Sequence, residues 1–260
     1  AVAGETIMVN FELKSELMSL DEIVVTGTKT FQRKTQTPVI VNVLGKNTLQ
    51  AVDATNIAEG LNFQPGLRVE TDCQTCNYTQ LRMNGLGGGY SQILMNSRPL
   101  FSPLIGLYGM EQIPSNMVER IEVVRGGGSA LYGSSAIGGT VNVITQIPSN
   151  NSYDVNYTLH SINGRATDHV LNGNISMVNK KRNVGAVLFV SNRNREQYDH
   201  EGLTLLPDGT YKKERDNYSE LPKLRSNSFG GNLFFKPNSN QKLELNFTSI
   251  YEYRYGGEMI

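Results

Sequence analysis

Tryptophan is absent from the 260 residues, cysteine occurs twice and histidine three times. Such sparse ligands, with no second Cys pair or His pair nearby, give no basis for a four-ligand zinc site. An excess of one charge sign is also missing, because 24 Lys+Arg balance 24 Asp+Glu. That balance argues against a nucleic-acid binder that works through a basic surface. No apolar run reaches about 18 residues, so a transmembrane helix is excluded. A transmembrane β-barrel is not excluded, because its strands are only half apolar. The first residues, Ala1-Val2-Ala3-Gly4-Glu5, have neither a basic n-region nor an apolar h-region, so any signal peptide is expected to have been removed already or never to have been part of this sequence. What the chain does have is glycine, 26 residues of it, and enough length to bury a core.

The two cysteines, Cys73 and Cys76, stand at C-x-x-C spacing. A redox dithiol needs a helix N-terminus to lower one thiol pKa. Here the flanks Thr71-Asp72 and Asn77-Tyr78-Thr79 read as loop running into strand. A thiol oxidoreductase therefore lacks both its helix and a partner base. A short structural disulfide in an oxidising compartment is the leading reading.

Four zones divide the chain. Residues 1–20 hold one alternating strand, Thr6–Leu13, which cannot be stable alone and reads as the end of a β-sandwich extension. Residues 21–36 place a β-prone word, Ile23-Val24-Val25-Thr26, in a polar linker. Residues 37–148 read as a mixed α+β domain. Its expected elements are a strand at 39–44, a helix over roughly 55–62 and a short helix at 113–119. Strands 79–84 and 92–96 are expected to flank the turn Gly85–Gly89 as a hairpin. Two more strands, 121–125 and 139–145, are joined by a glycine-dense loop. That loop lacks the G-K-[ST] ending of a phosphate loop.

In residues 149–260 the period is two. Tyr153, Val155, Tyr157 and Leu159 alternate with Asp154, Asn156, Thr158 and His160. Five strands are expected at 152–162, 168–179, 183–197, 226–236 and 241–255. Their length, the tyrosines near their ends and an amide-rich second face favour a membrane barrel over a sandwich. Short turns at 179–183 and 237–241 lie on one side, and the long polar loop 198–225 on the other. Five strands cannot close a barrel and open edges cannot face lipid, so the barrel is expected to continue in further polypeptide.

At this point the residues resemble a family. Met117–Gly126, Ser129–Ser134 and Ala136–Thr145 closely resemble the plug signature of TonB-dependent outer-membrane transporters. Asp21–Thr28 resembles their Ton box, and Asn62–Leu67 their "PG" segment. One departure is Gly127-Gly128 where many members have Pro. The resemblance implies an α+β plug domain followed by the first strands of a large antiparallel transmembrane β-barrel, about 22 strands when complete. It implies a location in the outer membrane of a Gram-negative bacterium, no covalent chemistry and no required cofactor. The implied partners are TonB with its ExbB/ExbD motor, the rest of the barrel polypeptide, membrane lipid and, for some members, a surface lipoprotein.

Site residues come from residue chemistry and resemblance together. Glu22, Ile23, Val24, Val25 and Thr26 are expected to bind TonB by strand addition, the segment staying mobile until then. Glu119, Arg120, Glu122 and Arg125 match plug charges that pair with the barrel wall, their alternative being a solvated charge run. If 79–84 and 92–96 form a hairpin, the segments outside it emerge together. Tyr78, Arg98, Leu100, Phe101, Leu104, Leu107 and Tyr108 then become ligand contacts, with Cys73 and Cys76 bracing the apex. The loop 198–225, with Asp199, Glu201, Asp208, Glu214, Asp216 and Glu220, reads first as hydrated. Ca²⁺ is the alternative, with Asp199, Asp208 and Asp216 as ligands and no D-x-D-x-D-G spacing to support it. The cargo is expected to be a scarce, bulky nutrient: a corrinoid first, haem or an iron chelate otherwise. A surface adhesin without transport is the competing class. It explains neither the isolated β-prone word nor strands with a polar second face.

Overall fold

The computed structural model describes residues 23–72, 77–100, 105–127, 129–200, 202–207 and 209–259. The strand expected at Thr6–Leu13 lies outside them, as do Glu22, Cys73, Cys76, Phe101, Leu104 and Asp208.

The N-terminal part opens with β1 (Ile23–Val24) and β2 (Gln32–Arg33), a two-stranded ribbon. Then come β3 (Val41–Gly45), α1 (Lys46–Ala51) and α2 (Ile57–Leu61). Next are β4 (Leu67–Asp72), β5 (Tyr78–Met83), β6 (Ser91–Met95) and β7 (Arg98–Pro99). The part closes with α3 (Ile105–Gln112), β8 (Val118–Arg125), α4 (Ser129–Tyr132) and β9 (Gly139–Thr145). A five-stranded sheet runs in the order β3-β8-β9-β6-β7, with β4-β5 as a separate pair.

Local chemistry explains α2. Asn56 is its N-cap and accepts from the Glu59 N–H at 3.1 Å. The Glu59 carboxylate reaches back to the Thr55 N–H at 2.7 Å, a reciprocal cap that satisfies two otherwise orphaned donors. The helix buries Ile57, Ala58 and Leu61 against Leu44, Leu49, Met83, Ile121 and Val141. Strand β9 is buried along almost its whole length, as a central strand between two covered faces must be.

The pairing of the middle strands differs from the expected hairpin. Tyr78–Met83 pairs antiparallel with Leu67–Asp72, not with Ser91–Met95. Strand β6 instead runs parallel to β9, from Ser91↔Gly139 to Met95↔Val143. The glycine turn therefore connects two separate sheets. The helix expected at 113–119 is a single 3₁₀ turn, Ser115–Met117, because Val118 already belongs to β8. The segment read as an apolar loop to residue 108 contains the start of α3.

The C-terminal part is an antiparallel sheet, β10 (Ser152–Ile162), β11 (Ala166–Val178), β12 (Val184–Arg195), β15 (Lys223–Asn238) and β16 (Gln241–Tyr255). The loop after β12 contains a small hairpin, β13 (Gly202–Leu205) and β14 (Tyr211–Glu214), where only polar loop was expected. One face is exposed and apolar: Tyr153, Val155, Tyr157, Leu188, Val190, Phe229, Leu243, Leu245 and Tyr251. Along β16 that face runs from Leu243 to Tyr253. At about 3.3 Å per residue and about 40° tilt it is about 25 Å tall, the height of a barrel's lipid-facing band. The other face curls around the plug. Phe189 of β12 is buried within the plug's own hydrophobic cluster. A Cβ on Gly230 would sit 2.8 Å from the Phe189 ring and 2.4 Å from the Phe247 carbonyl oxygen, so glycine makes room for that ring.

Gly139 has φ +148°, and a Cβ there would lie 2.4 Å from the Val124 carbonyl oxygen and 2.5 Å from the Met83 sulfur. Gly139→Ala should destabilise the β8–β9 sheet by about 2 kcal/mol or more. Gly85→Ala, with φ +81° but open space, should cost only about 1 kcal/mol. Amide hydrogen exchange at Ile121–Val124 in the purified protein measures both, and equal effects would show that close approach plays no part.

Candidate functional site

A buried carboxylate organises the centre of the plug. Glu122 sits mid-β8 opposite Asn142 of β9, and both are fully buried. Its Oε2 accepts from the Val25 N–H at 2.9 Å, the Thr26 N–H at 2.9 Å and the Thr26 hydroxyl at 2.6 Å. Its Oε1 accepts from Arg120 Nε at 2.8 Å. Asn142 donates to the Thr26 hydroxyl at 3.0 Å, and Ser97 donates its N–H to Asn142 Oδ1 at 2.9 Å. Tyr132 donates to the Thr26 carbonyl at 3.0 Å. Burial, with the Glu122 charge adding to it, pushes the Tyr132 phenol above its ordinary pKa, so it remains a donor.

Val24 and Thr26 are fully buried, and Val24 packs on Val41 and Val124. The Ile23–Thr26 segment was expected to be mobile. It is instead pinned, because Glu122 supplies an acceptor for its backbone donors inside the fold. Of the expected TonB contacts only Ile23 is exposed among the described residues.

The expected charge network takes a different form among the described residues. Arg120 and Glu122 pair with each other, Arg125 donates to the Pro65 carbonyl at 3.1 Å, and Glu119 is exposed. The plug meets the five wall strands through other residues. Arg193 of β12 binds Asp168 of β11 at 2.6 Å and Glu59 at 3.3 Å. Arg254 of β16 binds Glu111 at 2.7 Å, Glu252 at 3.1 Å and the Asn77 carbonyl at 2.9 Å. His160 lies 3.3 Å from Asp53. Asn116 and Asn174 exchange hydrogen bonds, Nδ2 to Oδ1 at 2.9 Å and Nδ2 to the Asn116 carbonyl at 2.7 Å. The reciprocal cap of α2 is what aims Glu59 at Arg193. A sequence signal for this existed: Arg193 and Arg195 stand two apart on the inward face of a wall strand.

Tyr78, Arg98 and Leu100, the expected ligand residues whose side chains are described, do not gather at one apex. Tyr78, next to Asn77, lies level with Arg254 at the loop end of the wall, and its hydroxyl accepts from Gln80 Nε2 at 3.0 Å. Arg98 is exposed on β7, beside a turn tied to Thr145 through Asn96. That turn borders a small cleft with Asn246 and Thr248, nearer the short-turn end of β16. Leu100, half-buried, packs onto the plug core. Leu107 and Tyr108 belong to α3, the helix that carries Glu111 to the wall. These placements result from the altered strand pairing: β6 descends beside β9, so β7 starts at the opposite end from Tyr78.

In the loop after β12, Asp199, Asp216 and Glu220 bring carboxylate oxygens within 4.8 Å of one another. Asp199 is 6% exposed, and its Oδ1 is buried without a hydrogen-bond partner. Asp199 and Asp216 are two of the three expected ligands, and Glu220 is another carboxylate of the same acidic loop.

Residues 33–140 match the family model described as the TonB-dependent Receptor Plug Domain. The chain is 33% identical over 138 residues to the vitamin B12 transporter BtuB of Photobacterium profundum, covering 51% of this chain and 23% of that protein. It is 32% identical over 133 residues to the iron-regulated outer membrane virulence protein of Vibrio cholerae, covering 48% and 20%. The siderophore receptor PirA from Acinetobacter baumannii shares the fold with TM-score 0.67 at 21% identity, over 84% of this chain and 32% of that one. The pyoverdine outer membrane receptor FpvA from Pseudomonas aeruginosa does so with TM-score 0.65 at 15% identity, over 88% and 30%. The chain thus spans about a quarter of the length of these curated relatives. Residues 33–140 thus carry a TonB-dependent receptor plug domain, and the chain has the fold of that plug joined to strands of a transmembrane β-barrel.

Proposed function

We propose that the whole protein imports a scarce, bulky nutrient across the outer membrane, driven by TonB acting on Ile23–Thr26. The observation that carries this reading is the capture of Val25 and Thr26 by the Glu122 carboxylate. A β-prone segment held by a few hydrogen bonds is a two-state element. Docked, its backbone donors are hidden. Released, they are free to add a strand to a partner. Three hydrogen bonds to one charged acceptor are strong enough to keep the docked state dominant and few enough to be reversed. Cargo bound above the plug would shift that balance only by contacting the two states differently.

A corrinoid is the cargo we favour, supported by the relatives named as vitamin B12 transporters. An iron chelate is the second reading, supported by the relative named for iron regulation. We further propose that Asp199, Asp216 and Glu220 hold a hard divalent cation such as Ca²⁺. A buried carboxylate oxygen with no donor is costly unless a cation compensates it, and oxygen-only ligands suit Ca²⁺.

Deleting Ile23–Thr26 should abolish energised uptake and leave cargo binding to the purified receptor unchanged; uptake that persists rejects the TonB assignment. Glu122→Gln removes the charge from three hydrogen bonds. It should speed exchange of the Val25 and Thr26 amides by about tenfold to a hundredfold and raise cargo-free TonB binding. Unchanged exchange would show that the carboxylate is not the latch. Adding Ca²⁺ should protect the backbone of 198–200 and 216–221 from exchange, and Asp199→Asn should remove that protection.

A further inference from the structure

The wall strands end, on the short-turn side, in a feature that the transport reading does not use. The turn between β11 and β12 carries Lys180, Lys181 and Arg182 in succession, all exposed. Asn179 braces the turn, accepting from the Asn183 N–H at 3.0 Å and the Val184 N–H at 3.1 Å. Its Nδ2 donates to Asn183 Oδ1 at 2.6 Å. The turn is therefore shaped, and the three cations project from it. Among the described residues none of the three makes an ion pair. Lys236 and Lys242 add charge at the same end, 5.4 and 5.7 Å from the Phe234 ring. The acidic neighbour there, Glu244, is taken by Lys242 at 3.0 Å.

Directly above this turn the outward face is dished. Cross-strand register sets Met177, Ala186, Leu233 and Leu245 in one row, and Val184, Phe235 and Leu243 in the next. Ala186 is small between large neighbours. A groove of about 790 Å³ opens along these two rows, its lining mostly apolar. Met177, Val184, Phe235, Leu243 and Leu245 remain 45 to 65% exposed around it. Apolar groove and cationic turn are thus contiguous, in the order of a lipid's chain and headgroup.

We propose that this site binds one anionic glycerophospholipid of the periplasmic leaflet, an acyl chain in the groove and the phosphate on Lys180–Arg182. The choice of occupant rests on charge complementarity: unpaired cations at the rim attract anionic headgroups, and a zwitterionic headgroup gains far less. It rests also on orientation, since short turns face the periplasm and long loops the exterior. That orientation depends on the outer-membrane reading of the chain. The acidic cluster Asp199, Asp216 and Glu220 sits at the opposite end of the wall, away from this turn.

The test uses the full-length receptor in nanodiscs of phosphatidylethanolamine with phosphatidylglycerol, followed by mild delipidation and native mass spectrometry. The wild type should retain phosphatidylglycerol over phosphatidylethanolamine. Lys180→Gln, Lys181→Gln and Arg182→Gln combined should lower that preference about tenfold or more. Ala186→Phe, filling the groove and leaving the charges intact, should lower total retained lipid. Undiminished preference in the charge variant overturns the proposal, as does undiminished retention in the groove variant. Heat-modifiable migration of each variant on a gel reports barrel folding separately. A protein that is not heat-modifiable at all fails the outer-membrane reading instead.

Discussion

One buried carboxylate, Glu122, is the constraint on which the plug's arrangement turns. Burying an ionised group without partners is prohibitively costly, so its oxygens must be filled. Here they are filled from two directions. Arg120 lies on the same strand, and Val25 and Thr26 come from a segment about a hundred residues earlier. The N-terminal segment therefore completes the solvation of a core residue as well as covering it. Were it to leave, Glu122 would lose three donors at once and water would have to replace them. On the proposed reading, docked and released forms of the plug would differ chiefly in what solvates that group.

The wall holds the plug by a second use of charge. Arg193 and Arg254 reach inward from strands β12 and β16, and each shares its guanidinium between a wall carboxylate and a plug carboxylate. A guanidinium satisfied from the wall side does not become an unpaired buried cation when the plug shifts. Pairs of this kind fix register without locking the interface, in keeping with their modest net contribution. Phe189 adds an apolar contact to the plug's core, and the Asn116–Asn174 exchange adds a neutral one. The interface is polar in the main.

Much of the wall was legible in the sequence because each wall strand pairs with its neighbour in the chain and each face meets one medium. Alternation then carries the information, and the expected 152–162 and 241–255 coincide with β10 and β16. The plug was less legible. Leu67–Asp72 alternates too, over too few residues to outweigh the adjacent glycine turn as the partner of Tyr78–Met83. The parallel partner of Ser91–Met95 lies in a segment about fifty residues later, and no local pattern points to it. For the site, motif order revealed Ile23–Thr26 and Glu122 separately. That they touch depends on long-range packing, which residue types alone do not encode. The acidic loop shows the same limit, since Glu220 joins Asp199 and Asp216 only through the fold.

Strand β3 forms one margin of the plug sheet, with β8 as its sole neighbour among the described residues. It is also the first strand of that sheet reached from the N-terminal segment. Tension transmitted along the backbone from Ile23 meets β3 before any interior strand. Five residues bonded along one flank, Val41 to Gly45, offer less resistance than β8 or β9, which are bonded along two. The sheet is therefore weaker at β3 than in its interior strands. Its margin can be stripped away while the interior, seated on Phe189, stays in place.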